Sequence, residues 1–295
     1  MALILECHIM GRMIRKHNFL SCLFLIGIFF PGYLSAQKSS TELVAEIGVQ
    51  AGASHYFGDL NTTTGLKQPN LAIGVFARKQ LNQYTALRLA ANYTNLGYSD
   101  KLQADNEFQR RRNLDFQTRI LELLVQGDFN FFKFNPAVPG QRFSPYLTFG
   151  AGIFYYNPYT FLEGKRYNLR PLGTEGQQSP LFPDRNQYGN IAFSIPFGFG
   201  IKWSVNNKIT MHFEVTHRFT TTDYLDDVSG TYAGPDAFLS GTIAGLLQDR
   251  SYETGLTPIG TAGSQRGFSA NRDQFIIANL GFTFNFSRYQ CPTGF

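Results

Sequence analysis

Three histidines, His55, His212 and His217, lie beyond the first 17 residues and are the side chains best suited to proton transfer near neutral pH. His212 and Glu214 have the same parity in a predicted strand and so share a face, whereas His217 has the opposite parity. No nucleophile, histidine and carboxylate can be assigned to one site from their spacing. No glycine-rich phosphate loop and no Cys/His set at metal-ligand spacing is present either. The sequence therefore predicts no enzymatic activity and no cofactor.

Acidic residues in the segment 222–232, TDYLDDVSGTY, are the other candidates for chemistry. Asp223, Asp226 and Asp227 could offer oxygen ligands to calcium, but their spacing is not that of an EF-hand loop, and no metal site is predicted. Further ionisable residues fall at alternate positions of predicted strands: Glu46, Arg78, Arg88, Glu122, Asp128, Lys202, Glu214 and Arg218. They would form either a path for protons or ions or, as we expect, a set of ion pairs that stiffens the protein.

The elements that position these residues are strands. In the segment 191–205 every odd residue is apolar, and the residues between are mostly small or polar. Such a period-2 pattern places all the apolar side chains on one face of a strand, whereas a helix would spread them around its circumference. The same alternation recurs at 43–54, 71–78, 87–94, 121–131, 147–155, 209–219 and 279–286. The sequence therefore predicts an all-β protein of eight antiparallel strands, an even number as in bacterial outer-membrane barrels.

The polar face of the predicted strands distinguishes a membrane barrel from a soluble one. It consists mainly of Gly, Ala, Ser, Thr and Asn with isolated charges of both signs, and charged residues make up only 16% of the chain. Small residues suit a narrow interior, while large Phe and Ile side chains on the other face suit lipid. We therefore expect an eight-stranded antiparallel transmembrane β-barrel in the lipid bilayer of the outer membrane. Side chains fill a lumen of this size, so a diffusion pore is not expected.

The connections between the predicted strands alternate in length. In chain order they lie at about 58–69, 80–83, 97–115, 133–142, 158–189, 206–208 and 223–273. The second, fourth and sixth are short, and the others are long. Short periplasmic turns and long extracellular loops are typical of outer-membrane barrels, and this arrangement would place both chain termini in the periplasm.

The N-terminal segment has the features of an export signal. A basic cluster precedes an apolar run at 19–30, and small residues follow up to Ala36. This predicts a signal peptide at 1–36, followed by a barrel domain at 37–295 with a short periplasmic tail. Cys291 in that tail would remain as a lone cysteine, either bonded to a partner or inert. The net charge of +5 is too mild to predict nucleic-acid binding.

Three segments carry a resemblance to a known family. The strongest is TDYLDDVSGTY at 222–232, and the others are YFGDLN at 56–61 and the ending at 282–292. Together they resemble the PorG-type barrels of the Bacteroidetes type IX secretion system, and the resemblance spans the mature chain. It implies a small barrel that associates with the periplasmic ring of the export machine, through the ring lipoprotein and its partner subunit, and does no chemistry.

These segments supply the candidate interaction residues: Tyr56, Gly58, Asp59, Asp223, Tyr224, Asp226, Asp227 and Cys291. The first and seventh strands run in the same direction and the eighth closes between them, so the segments 56–61 and 222–232 meet at the outer rim, close to Arg272. Their acidic and tyrosine side chains would either pin the loop roots by hydrogen bonds to backbone N–H groups or form a partner-binding surface. The alternative to protein export is a surface-exposed adhesion barrel that binds ligands through its long loops.

Overall fold

Each of the eight alternating segments is a strand in the computed structural model, which describes residues 41–63, 65–103, 105–177 and 179–289. The predicted signal peptide, most of the tail and Cys291 lie outside the described residues. The strands are β1 (Thr41–Phe57), β2 (Asn70–Gln80), β3 (Thr85–Ser99), β4 (Asp115–Asn130), β5 (Phe143–Tyr155), β6 (Tyr159–Leu162), β7 (Lys165–Asn168), β8 (Ile191–Ser204), β9 (Ile209–Thr220) and β10 (Gln274–Tyr289).

Eight of these strands close into an antiparallel barrel. Neighbours pair in the order β1, β2, β3, β4, β5, β8, β9 and β10, and β10 returns to pair with β1 from Thr41 opposite Tyr289 to Phe57 opposite Gln274. The remaining two, β6 and β7, form a hairpin within one long connection. The predicted all-β, eight-stranded antiparallel barrel is therefore confirmed.

The described helices are short and lie in the long connections. They are α1 (Glu107–Arg112), α2 (Ile243–Gln248) and single 3₁₀ turns at Asp100–Leu102, Arg170–Leu172, Pro235–Ala237 and Ser251–Thr254. Within the described ranges, no helix is long and apolar enough to cross a membrane.

The two faces of each strand differ as the alternation predicts. On β8, the outward-facing Phe197 is 53% exposed, whereas Ser194, three residues earlier and of the opposite parity, is 1% exposed. A belt of outward-facing apolar side chains surrounds the barrel, and no other part of the described chain covers it. Burying such a surface in lipid removes it from water, so the belt makes this a membrane-embedded barrel of the outer-membrane type.

One predicted face is wrong at the start of β1. Leu43 was expected outside with the other odd residues, but it is 8% exposed and its neighbour Val44 is 40% exposed. The pairing of β1 with β10 shifts register between Leu43 and Ala45, where Val44 is the extra residue of a β-bulge. Because a bulge inserts one residue, it reverses the parity of everything before it, and alternation alone does not reveal it.

Long and short connections emerge at opposite ends of the barrel. The shorter set, 81–84, 131–142 and 205–208, forms the turn end, although 131–142, with twelve residues, is as long as 58–69 and departs from the predicted alternation of short and long connections. The long ones, 58–69, 100–114, 156–190 and 221–273, form the loop end and are called the loop cap below. By the general rule for such barrels the turn end is periplasmic and the loop cap is extracellular.

The interior of the barrel contains the predicted ion pairs. Arg78 lies 3.0 Å from Glu46 and 2.6 Å from Asp128, and Arg88 lies 3.1 Å from Asp128 and 2.7 Å from Glu214. These five side chains form one continuous buried chain of alternating charge. A buried charge that is paired and hydrogen bonded avoids most of the penalty of an isolated one.

Additional side chains continue this filling towards both ends. Nearer the loop cap, Arg218 lies 3.3 Å from Glu122. At the turn end, Phe134 of the connection 131–142 is buried, and its ring centroid lies 4.2 Å from the ammonium of Lys202. The backbone N–H of Phe134 donates to the carbonyl of Gln83 at 3.1 Å, which holds the ring under the barrel mouth.

Candidate functional site

The loop cap is an ordered unit with a core of its own. Apolar side chains from all four long connections pack against strand ends beneath them. The buried members include Leu60, Leu96, Tyr98, Leu114, Phe116, Tyr156, Leu169, Leu225, Val228, Leu247 and Phe275. Such a core is unusual in long loops, which more often run over a surface with their polar groups in water. The candidate residues of the sequence lie within and around this core.

Tyr56, at the end of β1, joins two carboxyl groups of the last long connection. Its hydroxyl oxygen lies 2.5 Å from Asp226 Oδ2 and 2.9 Å from Asp273 Oδ1. The other oxygens of the two carboxyls accept from backbone N–H groups, Asp226 from Val228 at 2.9 Å and Asp273 from Leu225 at 2.8 Å. These contacts fix the first turn of the connection on the end of β1.

The two contacts of the Tyr56 hydroxyl bear on the protonation of the carboxyls. One hydroxyl donates one hydrogen bond, so a second proton on a carboxyl is needed for both contacts of Tyr56 to be hydrogen bonds. Burial, together with the charge of Asp273, raises the pKa of Asp226 well above its ordinary value. Burial also raises the pKa of Asp273 well above its ordinary value. Burial and the mutual charge of the two carboxyls therefore favour the protonated form in this group.

Glycines permit this close approach. A Cβ on Gly58 would lie 2.0 Å from both the Tyr56 hydroxyl and Asp273 Oδ1, so no larger residue fits there without moving them. Asp59 accepts from the backbone N–H of Phe268 at 3.0 and 3.1 Å, and a Cβ on Gly267 would lie 2.3 Å from Asp59 Oδ2. The segment 56–61 is thus joined to the end of the last long connection.

Asp227 connects the last long connection to the third. It has a left-handed backbone with φ of 65°, and its carboxylate accepts from the Thr174 and Tyr188 hydroxyls, both at 2.5 Å. Burial raises the pKa of Asp227 to about 6, although the guanidinium of Arg266 lies 3.8 Å away. Arg266 Nη1 also donates to the backbone carbonyl of Asp227 at 2.5 Å and to Glu175 Oε1 at 3.2 Å.

Asp223 and Tyr224 complete the segment. Asp223 accepts from the Ser229 hydroxyl at 2.6 Å, and burial together with the carboxylate of Asp59 raises the pKa of Asp223 to about 7. The Tyr224 ring stacks on Tyr188 with centroids 4.4 Å apart, and burial raises the pKa of Tyr224 to about 12. The segment therefore folds on itself and on the third long connection.

The structure thus brings together seven of the eight predicted residues. Tyr56, Gly58, Asp59, Asp223, Tyr224, Asp226 and Asp227 all lie in the loop cap or at its base, and the eighth, Cys291, falls outside the described residues. The four aspartates contact backbone N–H groups or hydroxyls within the chain, and the three in the segment 222–232 are buried. This geometry is that of residues that hold loops in place.

Several residues of the loop cap were not identified from the sequence. Arg112 binds Asp100 at 2.7 Å and donates to the backbone carbonyls of Asp59 and Arg266, so it ties three long connections together. Glu175 accepts from two backbone N–H groups of the last connection and from Arg266. These residues sit in long loops without alternation, and the local sequence gives no signal for them. For Asp273 the sequence offers a weak signal, which is its position directly before β10.

The histidines are dispersed. His55 contacts Asn61 at 2.9 Å, and His217 contacts Gln274 at 2.7 Å on the outer surface. His212 lies inside near Phe76, with ring centroids 5.3 Å apart, and its nitrogens have no hydrogen-bond partner among the described residues. Within the described ranges, no group of three or more His, Cys, Asp and Glu side chains is placed to hold a metal ion.

Solved structures with similar folds share little sequence with this chain. The Yersinia pestis attachment invasion locus protein Ail, in complex with the heparin analogue sucrose octasulfate, is 10% identical, with 83% of this chain and 99% of that chain covered and a TM-score of 0.40. Neisserial surface protein A is 11% identical, with 82% and 97% covered and a TM-score of 0.39. OprG of Pseudomonas aeruginosa is 8% identical, with 85% and 98% covered and a TM-score of 0.34.

The barrel assignment rests on the strand pairing and the apolar belt, independently of these distant likenesses. No curated protein sequence matches the chain. A family sequence profile does match, over residues 23–172, which include the first strands of the barrel and part of the loop cap. The chain belongs to the family described as a domain of unknown function, DUF6089.

Proposed function

We propose that the protein is a non-conducting, non-enzymatic component of a protein-export machine, and that it anchors or couples a periplasmic ring complex to the outer membrane. The filled lumen is the observation that carries this proposal. Ion pairs from Glu46 to Glu214 occupy its turn-side half, Phe134 lies under the turn end, and the loop cap packs over the other end. A barrel with such an interior acts through its outer surfaces.

The type IX secretion system is the machine we propose, because the segments 56–61 and 222–232 resemble its PorG-type barrels. Both segments hold the loop cap together through buried side chains, which are not available to a partner. Contact with the ring lipoprotein and its partner subunit would then fall to the turn end, which faces the periplasm in the orientation given above. Cys291, which the sequence predicts in the periplasmic tail, lies outside the described residues.

Adhesion through the loop cap is the second candidate. The observation that favours it is a set of apolar side chains exposed on the ordered cap: Leu66, Leu181, Leu239, Leu256 and Phe268. Exposed apolar residues on a rigid surface are common where a protein binds a partner. In this alternative the barrel would display the cap to an external ligand.

Pull-down from solubilised outer membranes distinguishes the two functions. Ring subunits should copurify with the full chain, and Lys133→Glu at the turn end should weaken their recovery and reduce secretion. Leu239→Asp, a change of an exposed cap residue, is the matched control and should leave both unchanged. Recovery of extracellular polymers instead, lost with Leu239→Asp and kept with Lys133→Glu, would replace export by adhesion.

A further inference from the structure

Charge is distributed unevenly between the ends of the barrel. Outside the lumen, the described residues of the turn end and of the strand ends next to it include one carboxylate, Glu42, and five cationic side chains: Lys79, Lys133, Arg142, Lys208 and Arg288. None of these cations forms an ion pair with another described residue, although Arg142 donates to Asn207 at 2.9 Å. An excess of unpaired cations at one end of a membrane protein attracts anions at that membrane surface.

An apolar groove lies on the outer surface near this end. Its volume is about 630 Å³, and it runs across β1, β2, β3 and β4. Ala45 and Ala77 form its floor, because their short side chains lie between the larger Ile47, Leu87 and Leu89. The groove belongs to the belt that faces lipid, so hydrocarbon is the material that fills it.

Lys79 stands at the turn-side end of the groove. It is exposed, it pairs with Ala45 on one side and Leu87 on the other, and it lies two residues, roughly 7 Å, from Ala77 on the same face. It is the last outward-facing residue of β2 before the turn, so it lies where the hydrocarbon meets the headgroups. A lysine stem can lie along apolar surface while its ammonium reaches the polar layer.

We propose that this groove binds an anionic glycerophospholipid of the periplasmic leaflet, with one acyl chain on Ala45 and Ala77 and the phosphate on Lys79. The apolar floor and the terminal cation match the two parts of such a molecule. A polypeptide segment fits less well, because at this depth it would have to satisfy its own backbone hydrogen bonds, and an acyl chain has none. This site does not depend on the proposed role in export.

Native mass spectrometry of the full-length mature barrel tests the site. The protein is transferred from detergent into mixtures of phosphatidylglycerol and phosphatidylethanolamine with matched acyl chains, and the retained lipid is counted. We expect phosphatidylglycerol to be retained preferentially, and Lys79→Gln to reduce this preference about fivefold, the effect of one lysine near an anionic surface. Ala77→Phe, which fills the groove without changing charge, should reduce retention of both lipids.

Lys208→Gln is the matched control, because it removes the same charge at the same end of the barrel but away from the groove. Heat-modifiable migration on gels verifies that every variant is folded. The site is supported if Lys208→Gln keeps the preference for phosphatidylglycerol while Lys79→Gln reduces this preference and Ala77→Phe reduces retention of both lipids. If Lys79→Gln and Lys208→Gln reduced the preference for phosphatidylglycerol equally, the proposed site would be overturned. Diffuse attraction of anionic lipids by the turn end would then explain the preference. Equal retention of the two lipids by the unmodified protein would overturn the site as well.

Discussion

Replacing Arg88 by methionine would deprive two carboxylates inside the barrel of a shared partner. The Arg88 side chain is 1% exposed, and Nη2 lies 3.1 Å from Asp128 Oδ1 and 2.7 Å from Glu214 Oε2. Asp128 would still form an ion pair with Arg78. Glu214 would have no cationic partner left among the described residues, and its remaining hydrogen-bond donor there would be the Tyr146 hydroxyl, at 2.8 Å. Removing one partner of a buried ion pair lowers the free energy of unfolding by about 3–5 kcal/mol, and we expect a loss in that range.

Lys202→Met is the matched control for this variant. Lys202 is a buried cation in the same lumen, but its ammonium has no hydrogen-bond partner among the described residues and lies over the Phe134 ring. Both substitutions remove one positive charge, so a difference between them measures pairing. Urea unfolding in lipid vesicles, followed by heat-modifiable migration on gels, gives the two free energies. The reasoning would be refuted if both variants lowered the free energy of unfolding equally. It would also be refuted if Arg88→Met lowered it by less than about 1 kcal/mol, which is the range for solvent-exposed ion pairs.

Three further predictions concern the lipid face, the loop cap and the tail. Phe197→Arg, near the middle of β8 on the outer face, should destabilise the inserted barrel by about 2–4 kcal/mol, while Ser194→Arg should instead crowd the lumen; normal insertion of Phe197→Arg would contradict the assigned faces. The pKa of Asp223 is about 7 in the folded chain and 3.8 in the unfolded one, so the cap should lose stability as pH rises between these values. Protease nicking of the cap should increase with pH over this interval, and less so in Asp223→Asn. Finally, Cys291→Ser should remove a higher-mass band from non-reducing gels if this thiol bonds to a ring subunit; no such band would mean that it has no covalent role.

The barrel was predictable because its main determinant is local. Each strand has one face in lipid and one in a narrow lumen, so the sequence alternates with a period of two and the parity identifies the lumen residues, including Arg78 and Arg88. The same reasoning fails at Leu43, since the bulge at Val44 depends on the pairing with β10 and leaves no mark on the alternation. Ion-pair partners were also beyond the sequence, because they follow from register and closure.

The loop cap was predictable only at the ends of strands. Tyr56 and Asp226 could be expected to meet because β1 and β9 run in the same direction and β10 closes between them. The contact between Glu175 and Arg266 joins residues 91 positions apart in two loops without periodicity, and no local pattern specifies it. Glu175 and Arg266 are brought together by packing of the loop-cap core. That packing depends on the whole fold, so the local sequence does not predict the contact.

The segment 222–232 is largely buried, and this burial changes how variants within it should be interpreted. Asp226 and Asp227 hold the last long connection against β1 and against the third connection, and neither is accessible from outside. A substitution there would disorder the cap first, and any effect on binding would follow from that disorder. The surfaces that remain available to other molecules are the exposed top of the cap, the lipid-facing groove beside Lys79 and the cationic turn end. Loss of function in a variant of the buried segment therefore does not identify a binding site, whereas loss of function in a variant of an exposed residue with an ordered cap does.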